Sequence, residues 1–329
     1  MNSPLEKFQL EIPSHRHVLN QLRTHGEMSG ADLARRVRLQ PSTLVYILRS
    51  LKEKGFIRIA RIDNSQSRAG KPPTLWTLVP DIGYILGIEV IHGEIRGVII
   101  DFAGRVVQRE IRSEVRNTGQ KAIVDSLVEF IQVISRSVFL KKIIGISVAT
   151  TGLVDRKTGR VRFSRKLELE NIDLRRALMQ RLEVPVELVN DANAGALGLK
   201  WFQEPTLIEH PNIVFLTFNE KNHDIGIGLI LNHKLYEGAH GTAGELSVEL
   251  PALRDLFQKG RDQYDAAPLL NVQHPNFESV LRCAKEQDCP LSKYILAELG
   301  AQLIDQIVYL VELIDPNQVI IGGDISAAQ

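Results

Sequence analysis

The hydrophobic period of this chain changes at Gly55 and again near Tyr84, and no single regular architecture accommodates all three patterns. Before Gly55 apolar residues recur at three and four. In HRHVLNQLRTH (15–25), Val18, Leu19 and Leu22 share one helical face, and Gly26 ends the segment. Ser29 is placed to cap a short helix, Ala31–Val37, whose Leu33, Ala34 and Val37 form a stripe. After a turn at Arg38–Gln40, Pro41 opens a third helix, where its missing N–H costs nothing. From Gly55 the period falls to two: FIRIARI and TLWTL read as strands on either side of the polar tip SQSRAGK.

Three short helices followed by a hairpin predict a winged helix-turn-helix. The third helix, PSTLVYILRSLKEKG, turns Leu44, Ile47, Leu48 and Leu51 toward a core and leaves Pro41, Ser42, Val45, Tyr46 and Arg49 facing outward. Its N-terminal half then suits a DNA major groove, with Ser42 and Tyr46 toward base edges and Thr43 or Arg49 toward phosphates. The wing tip adds Arg68 and Lys71. Charge points the same way. Residues 14–71 hold 12 Lys or Arg against 4 Asp or Glu, a local +8, while residues 72–329 hold 27 against 33, or −6. The alternative for the same elements is a small helical protein-interaction domain with an ordinary hairpin.

From Tyr84 strands alternate with longer helices, as in α/β domains. Strands are expected at 84–90, 94–101 and 105–111, a helix at 121–138, the strand IIGISVAT, a helix around 173–182, the strand VELVN, and a helix beginning near Asp191. A second set follows: strands near 212–218 and 225–231, a helix at about 291–314, and QVIIGG. Three strands, a helix and further β/α units, twice over, predict a two-lobed ribonuclease-H-like body of the actin-like ATPase kind. The expected domains are 1–80, a winged helix-turn-helix, and 81–329, the α/β body; the fold class is α+β followed by α/β.

Several function classes are excluded. Cys283 and Cys289 are the only cysteines and lack the second ligand pair of a structural zinc site. The N-terminus has no signal-peptide core, and no uninterrupted apolar run reaches the ~20 residues that span a bilayer. The expectation is a cytoplasmic protein with no membrane partner.

Six ordered segments then carry a family resemblance: LARRVRLQPSTLVYILRSLKEKGFI, GKPPTLWTLVPDIGYILGIEV, GISVATTGLVDRKTG, VPVELVNDANAGALG, LYEGAHGTAGEL and IDPNQVIIGGDIS. Together they resemble the ROK family, which groups repressors with sugar kinases, and most of all its repressor branch. The resemblance implies a sugar site at Asn190 and Asp191, the pair whose Asp accepts the sugar hydroxyl proton in the kinases, and at Glu245. An Asp does such work only within hydrogen-bond reach of that hydroxyl. Capping of the helix beginning at Ala192 is the other reading of Asn190 or Asp191, and the two roles are compatible.

Departures from the family pattern bear on chemistry. Ser247 and Val248 stand where the family has Gly-His, and the cysteine-rich zinc motif after them is missing, so no metal is expected. The first phosphate hairpin reads Glu89-Val90-Ile91-His92-Gly93, with Ile91 where Gly is needed. The second reads His223-Asp224-Ile225-Gly226-Ile227-Gly228, with a carboxylate beside the expected phosphates. Gly322-Gly323 resembles the adenosine-side turn, although a plain turn explains it equally. The chain ends sooner after this turn than the family does, which leads us to expect a shortened C-terminal lobe.

These features predict a regulator of carbohydrate-utilisation genes, a repressor, with no catalytic residues and no cofactor. Its partners are double-stranded operator DNA, a sugar or sugar-phosphate effector, and a second copy in a homodimer or higher homo-oligomer. The helix around Leu299, Leu303, Ile307 and Leu310 is the candidate packing surface, unless it is core. Two alternatives stay open: a regulator whose body serves oligomerisation alone, and an active sugar kinase.

Overall fold

In the computed structural model, described over residues 8, 12–63, 72–137, 142–202, 210–219, 224–245, 250–266, 269 and 276–323, the first three helices are α1 (Pro13–His25), α2 (Gly30–Val37) and α3 (Pro41–Glu53). Their apolar stripes meet. Val18, Leu22, Leu33, Leu44, Ile47, Leu51 and Phe56 are buried in one core. Ser29 caps α2: its Oγ accepts from the Asp32 N–H at 3.1 Å and donates to Asp32 Oδ2 at 2.6 Å, an arrangement worth about 1 kcal/mol. Arg38, in the left-handed region at φ 53°, ends α2 and turns the chain toward Pro41.

Strands β1 (Met28–Ser29), β2 (Ile57–Ile62) and β3 (Thr74–Leu78) form a sheet in the order β1-β3-β2. β1 was not expected, because two residues carry no period. The wing tip bearing Arg68 and Lys71 lies outside the described residues.

The winged helix is joined to the body by packing. Strands β4 (Tyr84–Ile91), β5 (Glu94–Asp101) and β6 (Val106–Ser113) follow it, and Phe102 sits at the turn between β5 and β6. Its ring lies 5.4 Å from that of Phe56 and 6.0 Å from that of Phe8, while Phe8 and Phe56 are 5.5 Å apart. The Phe102 N–H donates to Pro80 O at 3.0 Å, and Asp101 Oδ1 accepts from the Ala103 and Arg105 N–H groups, fixing the turn. Phe102→Ala is therefore expected to cost about 2 kcal/mol, the lower side of aromatic truncation for a half-buried ring. It should also raise the rate of proteolytic cleavage around Val79–Gly83. Cleavage at the parental rate would show that the ring does not restrain the junction.

The body repeats one topology. α4 (Gln120–Ile134), β7 (Ile143–Thr150), α5 (Leu174–Met179) and β11 (Val186–Asn190) complete a first sheet of order β11-β7-β4-β5-β6. The second contains β12 (Ile213–Asn219), β13 (Asp224–Leu231), β14 (Lys234–Leu235) and β15 (Gln318–Gly323) in the order β14-β13-β12-β15. In each, three strands run in sequence and the next adds beside the first. β12 pairs antiparallel with β13 and parallel with β15, as ribonuclease-H-like halves require. A small sheet, β10-β9-β8, is made by β8 (Leu153–Asp155), β9 (Arg160–Ser164) and β10 (Leu169–Ile172). The chain forms two compact units, residues 1–148 with 173–188 and residues 149–172 with 189–329.

In the second unit α6 (Asp191–Phe202) lies on β13 and β12. Gly226 and Gly228 make the room: a Cβ on Gly228 would stand 2.6 Å from both Ala192 O and Ala196 Cβ. The helices α7 (Leu253–Gly260), α8 (Phe277–Glu286) and α9 (Pro290–Ile314) pack together behind the second sheet. α9 is long and apolar enough by composition to cross a membrane, but Lys293, Glu298, Asp305 and Glu312 interrupt it. Leu299 and Leu310 are buried, and Leu303 and Ile307 pack on the same core. The stripe expected to mediate oligomerisation is thus core, and the outward side of α9 carries Ile304, Val308, Tyr309 and Leu313 instead.

Candidate effector pocket and DNA-binding face

The outward face of α3 is built by its inward one. With Leu44, Ile47, Leu48 and Leu51 buried, geometry forces Pro41, Ser42, Thr43, Val45, Tyr46 and Arg49 into solvent, and all six are exposed. Val45 is 60 % exposed and Tyr46 68 %, although both would gain from burial. Arg49 makes no ion pair among the described residues. Arg61, in β2, is held instead by Glu27 at 2.8 Å.

In the second unit the ends of β7 and β11 bring Gly152 and Asn190 together. Asn190 Nδ2 donates to Gly152 O at 3.2 Å and to Glu245 Oε1 at 3.3 Å, while Asn190 Oδ1 accepts from the Asn193 N–H at 3.1 Å. One side chain therefore caps α6 and also holds the Glu245 carboxylate. Asp191 is the first residue of α6, and its Oδ1 accepts from the Ala192 N–H at 2.9 Å. The structure so brings Asn190, Asp191 and Glu245 around one cavity of about 70 Å³, closed over by the Asn190–Glu245 hydrogen bond. Gly244, at φ +88°, lets the Glu245 loop approach β13, since a Cβ there would be 2.3 Å from Ile227 O.

Two buried polar atoms near the cavity, Thr150 Oγ1 and Asn193 Oδ1, have no hydrogen-bond partner. Thr150 is fully buried and Asn193 is 6 % exposed. Unpaired buried polar atoms call for a water or a ligand.

The β4–β5 hairpin belongs to the first unit. Its turn is His92-Gly93, and Ile91 is fully buried. Asn117, also fully buried, fills the turn: its Oδ1 accepts from the Gly93 N–H at 3.0 Å, and its Nδ2 donates to Ile91 O at 2.7 Å and Glu94 O at 3.4 Å. Glu89 is paired with Arg96 at 3.4 Å, and Arg96 also reaches Glu94 at 2.6 Å. The backbone donor and the carboxylate of this hairpin are both engaged by protein groups. Sequence reasoning missed Asn117, which has no local pattern and acts on residues more than twenty positions earlier.

Comparison with known proteins decides the family. The ROK family profile matches residues 85–247, and the MarR family profile matches residues 13–66. The chain carries a ROK domain behind a MarR-type winged helix. It is 24 % identical to a protein named xylose repressor from Caldicellulosiruptor bescii, over 94 % of this chain and 82 % of that protein. A crystal structure of a ROK family transcriptional regulator, a homologue of the E. coli MLC protein, superposes with a TM-score of 0.75 at 22 % identity, covering 97 % of this chain and 84 % of that one. A ROK family glucokinase from Streptomyces griseus, in complex with glucose and AMPPNP, superposes with a TM-score of 0.64 at 22 % identity, over 75 % of this chain and 85 % of that one.

Within the ROK domain two sequence-level assignments change meaning. Gly226 and Gly228, aligned with a phosphate loop, are required where they stand by the close approach of α6. Gly228→Ala should accordingly overpack the α6–β13 contact, destabilise the chain by about 1–3 kcal/mol and displace Asn190 and Asp191. A thermal midpoint unchanged from the parent would contradict this. The Asp224 side chain, with His223, Ser247 and Val248, lies outside the described residues.

Zinc does not fit the residues present. Among the described residues no group of three or more His, Cys, Asp or Glu side chains is arranged to hold a metal ion. Cys283 and Cys289 are buried in the apolar core beneath α7, α8 and α9.

Proposed function

We propose that this chain is a DNA-binding transcriptional regulator, a cytoplasmic repressor of carbohydrate-utilisation genes, whose affinity for operator DNA is set by a sugar or sugar phosphate in the ROK domain. The observation that carries this reading is the outward face of α3, where Val45 and Tyr46 stand in water beside Arg49. Pro41, Ser42, Thr43, Val45, Tyr46 and Arg49 enter the major groove, and Arg68 and Lys71 of the wing hold phosphates. The relative named xylose repressor supports both the regulatory role and the sugar.

In the pocket, sugar hydroxyls replace the Asn190–Glu245 hydrogen bond: Glu245 and Asp191 accept from them, and Asn190 Nδ2 donates. At about 70 Å³ the cavity is smaller than the ~300 Å³ usual for ligand pockets. Binding therefore has to open it, and this opening is the difference between two states that a ligand needs in order to shift an equilibrium. The protein works as a homodimer, which doubles the phosphate contacts and reads half-sites separated by whole turns of ~10 base pairs.

The same domain catalyses no phosphoryl transfer. With the Gly93 N–H bonded to Asn117 and Glu89 paired with Arg96, the first hairpin offers a nucleotide neither its backbone donor nor a free carboxylate for the metal ion.

Two assays on the full chain test the proposal together. Retardation of duplex fragments from its own promoter region, with and without sugars, reads regulation, and ADP release with sugar and ATP reads catalysis. We expect one fragment to be retained and released by a sugar, with no ADP formed. Turnover at kinase rates, ~1 to 100 per second, would overturn the assignment.

A further inference from the structure

Six of the eleven residues from Arg156 to Lys166 are Lys or Arg, and none is Asp or Glu, in a body that is otherwise net acidic. Like charges at this density repel one another, and so they call for an anion. Three have protein partners: Arg156 lies 3.9 Å from Glu237, Arg162 lies 2.9 Å from Asp155, and Arg160 Nη2 donates to Asn171 O at 2.6 Å. Arg165 and Lys166 come next in the chain, directly after β9.

The end of β9 forms the back of the pocket wall. Thr151 Oγ1 and Ser164 Oγ are 3.3 Å apart and buried. A Cβ on Gly152 would meet Phe163 O at 2.3 Å. Thr151 and Gly152 themselves line the cavity that Asn190, Asp191 and Glu245 surround. Arg165 is thus one residue, and Lys166 two, from a side chain in contact with the pocket lining.

We propose that the effector is an anionic sugar: its ring hydroxyls meet Asp191, Glu245 and Asn190, and a phosphate ester or carboxylate on the ring meets Arg165 and Lys166. This inference rests on the pocket proposed above. Two carboxylates repel an anion but accept from hydroxyls, so a ligand with both chemistries has one orientation, with its charge toward β9. A neutral sugar has no use for the two cations.

The test is calorimetry on the full chain at about 50 and 200 mM salt. The neutral probes are xylose, glucose and N-acetylglucosamine; the anionic ones are glucose 6-phosphate, N-acetylglucosamine 6-phosphate, gluconate and inorganic phosphate. Loss of a charge-assisted hydrogen bond weakens binding by about tenfold or more, so an anionic sugar should bind at least about thirtyfold more tightly than its neutral parent. Its affinity should fall with salt, and Arg165→Gln with Lys166→Gln should remove that advantage. Whether the ester or the acid binds distinguishes phosphate from carboxylate.

The inference is overturned if a neutral sugar binds as tightly as its anionic form, or if the double variant keeps the ester's affinity. Inorganic phosphate binding as tightly as the ester would also overturn it, since the cations would then form a separate ion site. Weaker operator binding by the effector-free double variant would assign the basic strand to nucleic acid and likewise overturn it. If neither kind of sugar binds, the pocket reading itself fails and this inference falls with it.

Discussion

Asp191→Ala should abolish the response of operator binding to effector while leaving effector-free binding close to that of the parent. Asp191 opens α6, but the cap of that helix is the bond from the Asn193 N–H to Asn190 Oδ1, which the substitution leaves in place. Alanine is moreover the best helix former, so the fold should survive. The carboxylate that accepts from a sugar hydroxyl is lost. Effectors typically shift affinity by ~5- to 150-fold, equivalent to ~1–3 kcal/mol of coupling, and the variant should show no shift. Asn190→Ala is the informative contrast, because it removes the cap, worth about 1 kcal/mol, as well as the link to Glu245. It should lower stability in addition to response. Anisotropy titrations of a labelled operator, with and without effector, measure the first effect, and a response equal to the parent's would remove Asp191 from the pocket.

Arg49→Ala should weaken operator binding at every sequence and reduce the slope of log affinity against log salt by ~0.9, the signature of one lost phosphate contact. The side chain is exposed on the outer face of α3, so its removal should change the thermal midpoint little. Lys71→Ala carries the same expectation for the wing. Tyr46→Ala should behave differently: a side chain that reaches base edges changes sequence preference, by ~1–3 kcal/mol at the base it reads, and leaves the salt slope intact. Competition against a set of single-base operator variants at two salt concentrations separates the two classes. An Arg49→Ala protein with the parental salt slope would mean that this guanidinium does not touch the backbone.

How far the fold was legible depends on the range of the forces that make it. α1, α2 and α3 could be read from sequence because each buries one periodic stripe, Leu44, Ile47, Leu48 and Leu51 in the case of α3, and because Ser29 and Pro41 mark helix starts by local chemistry. The ribonuclease-H-like halves were legible for the same reason, their strands being continuous apolar runs. β8, β9 and β10 were not. Arg160–Ser164 has charged residues on either side of Val161 and no clean alternation, so its strand character comes only from pairing with Leu169–Ile172 and Leu153–Asp155.

The site divides along the same line. Asn190, Asp191 and Glu245 were found through the family resemblance, whereas Asn117 was missed, since its partners Ile91, Gly93 and Glu94 are distant in sequence. Gly226 and Gly228 were read as a phosphate loop because spacing alone does not reveal that Ala192 and Ala196 press against them. Leu303 and Ile307 were assigned to an oligomer surface for a related reason: helical period identifies an apolar side but not what covers it.

The central claim, a sugar-controlled DNA-binding regulator in which the kinase-like body senses and does not catalyse, is tested most directly by one titration. The full chain is bound to a labelled duplex from its own promoter region, and sugars and sugar phosphates are added in turn, without ATP. The account predicts sequence-specific binding that one such ligand weakens by at least ~5-fold, with Asp191→Ala blind to it. Binding that is only non-specific, or specific binding unmoved by every sugar and sugar phosphate, would contradict it.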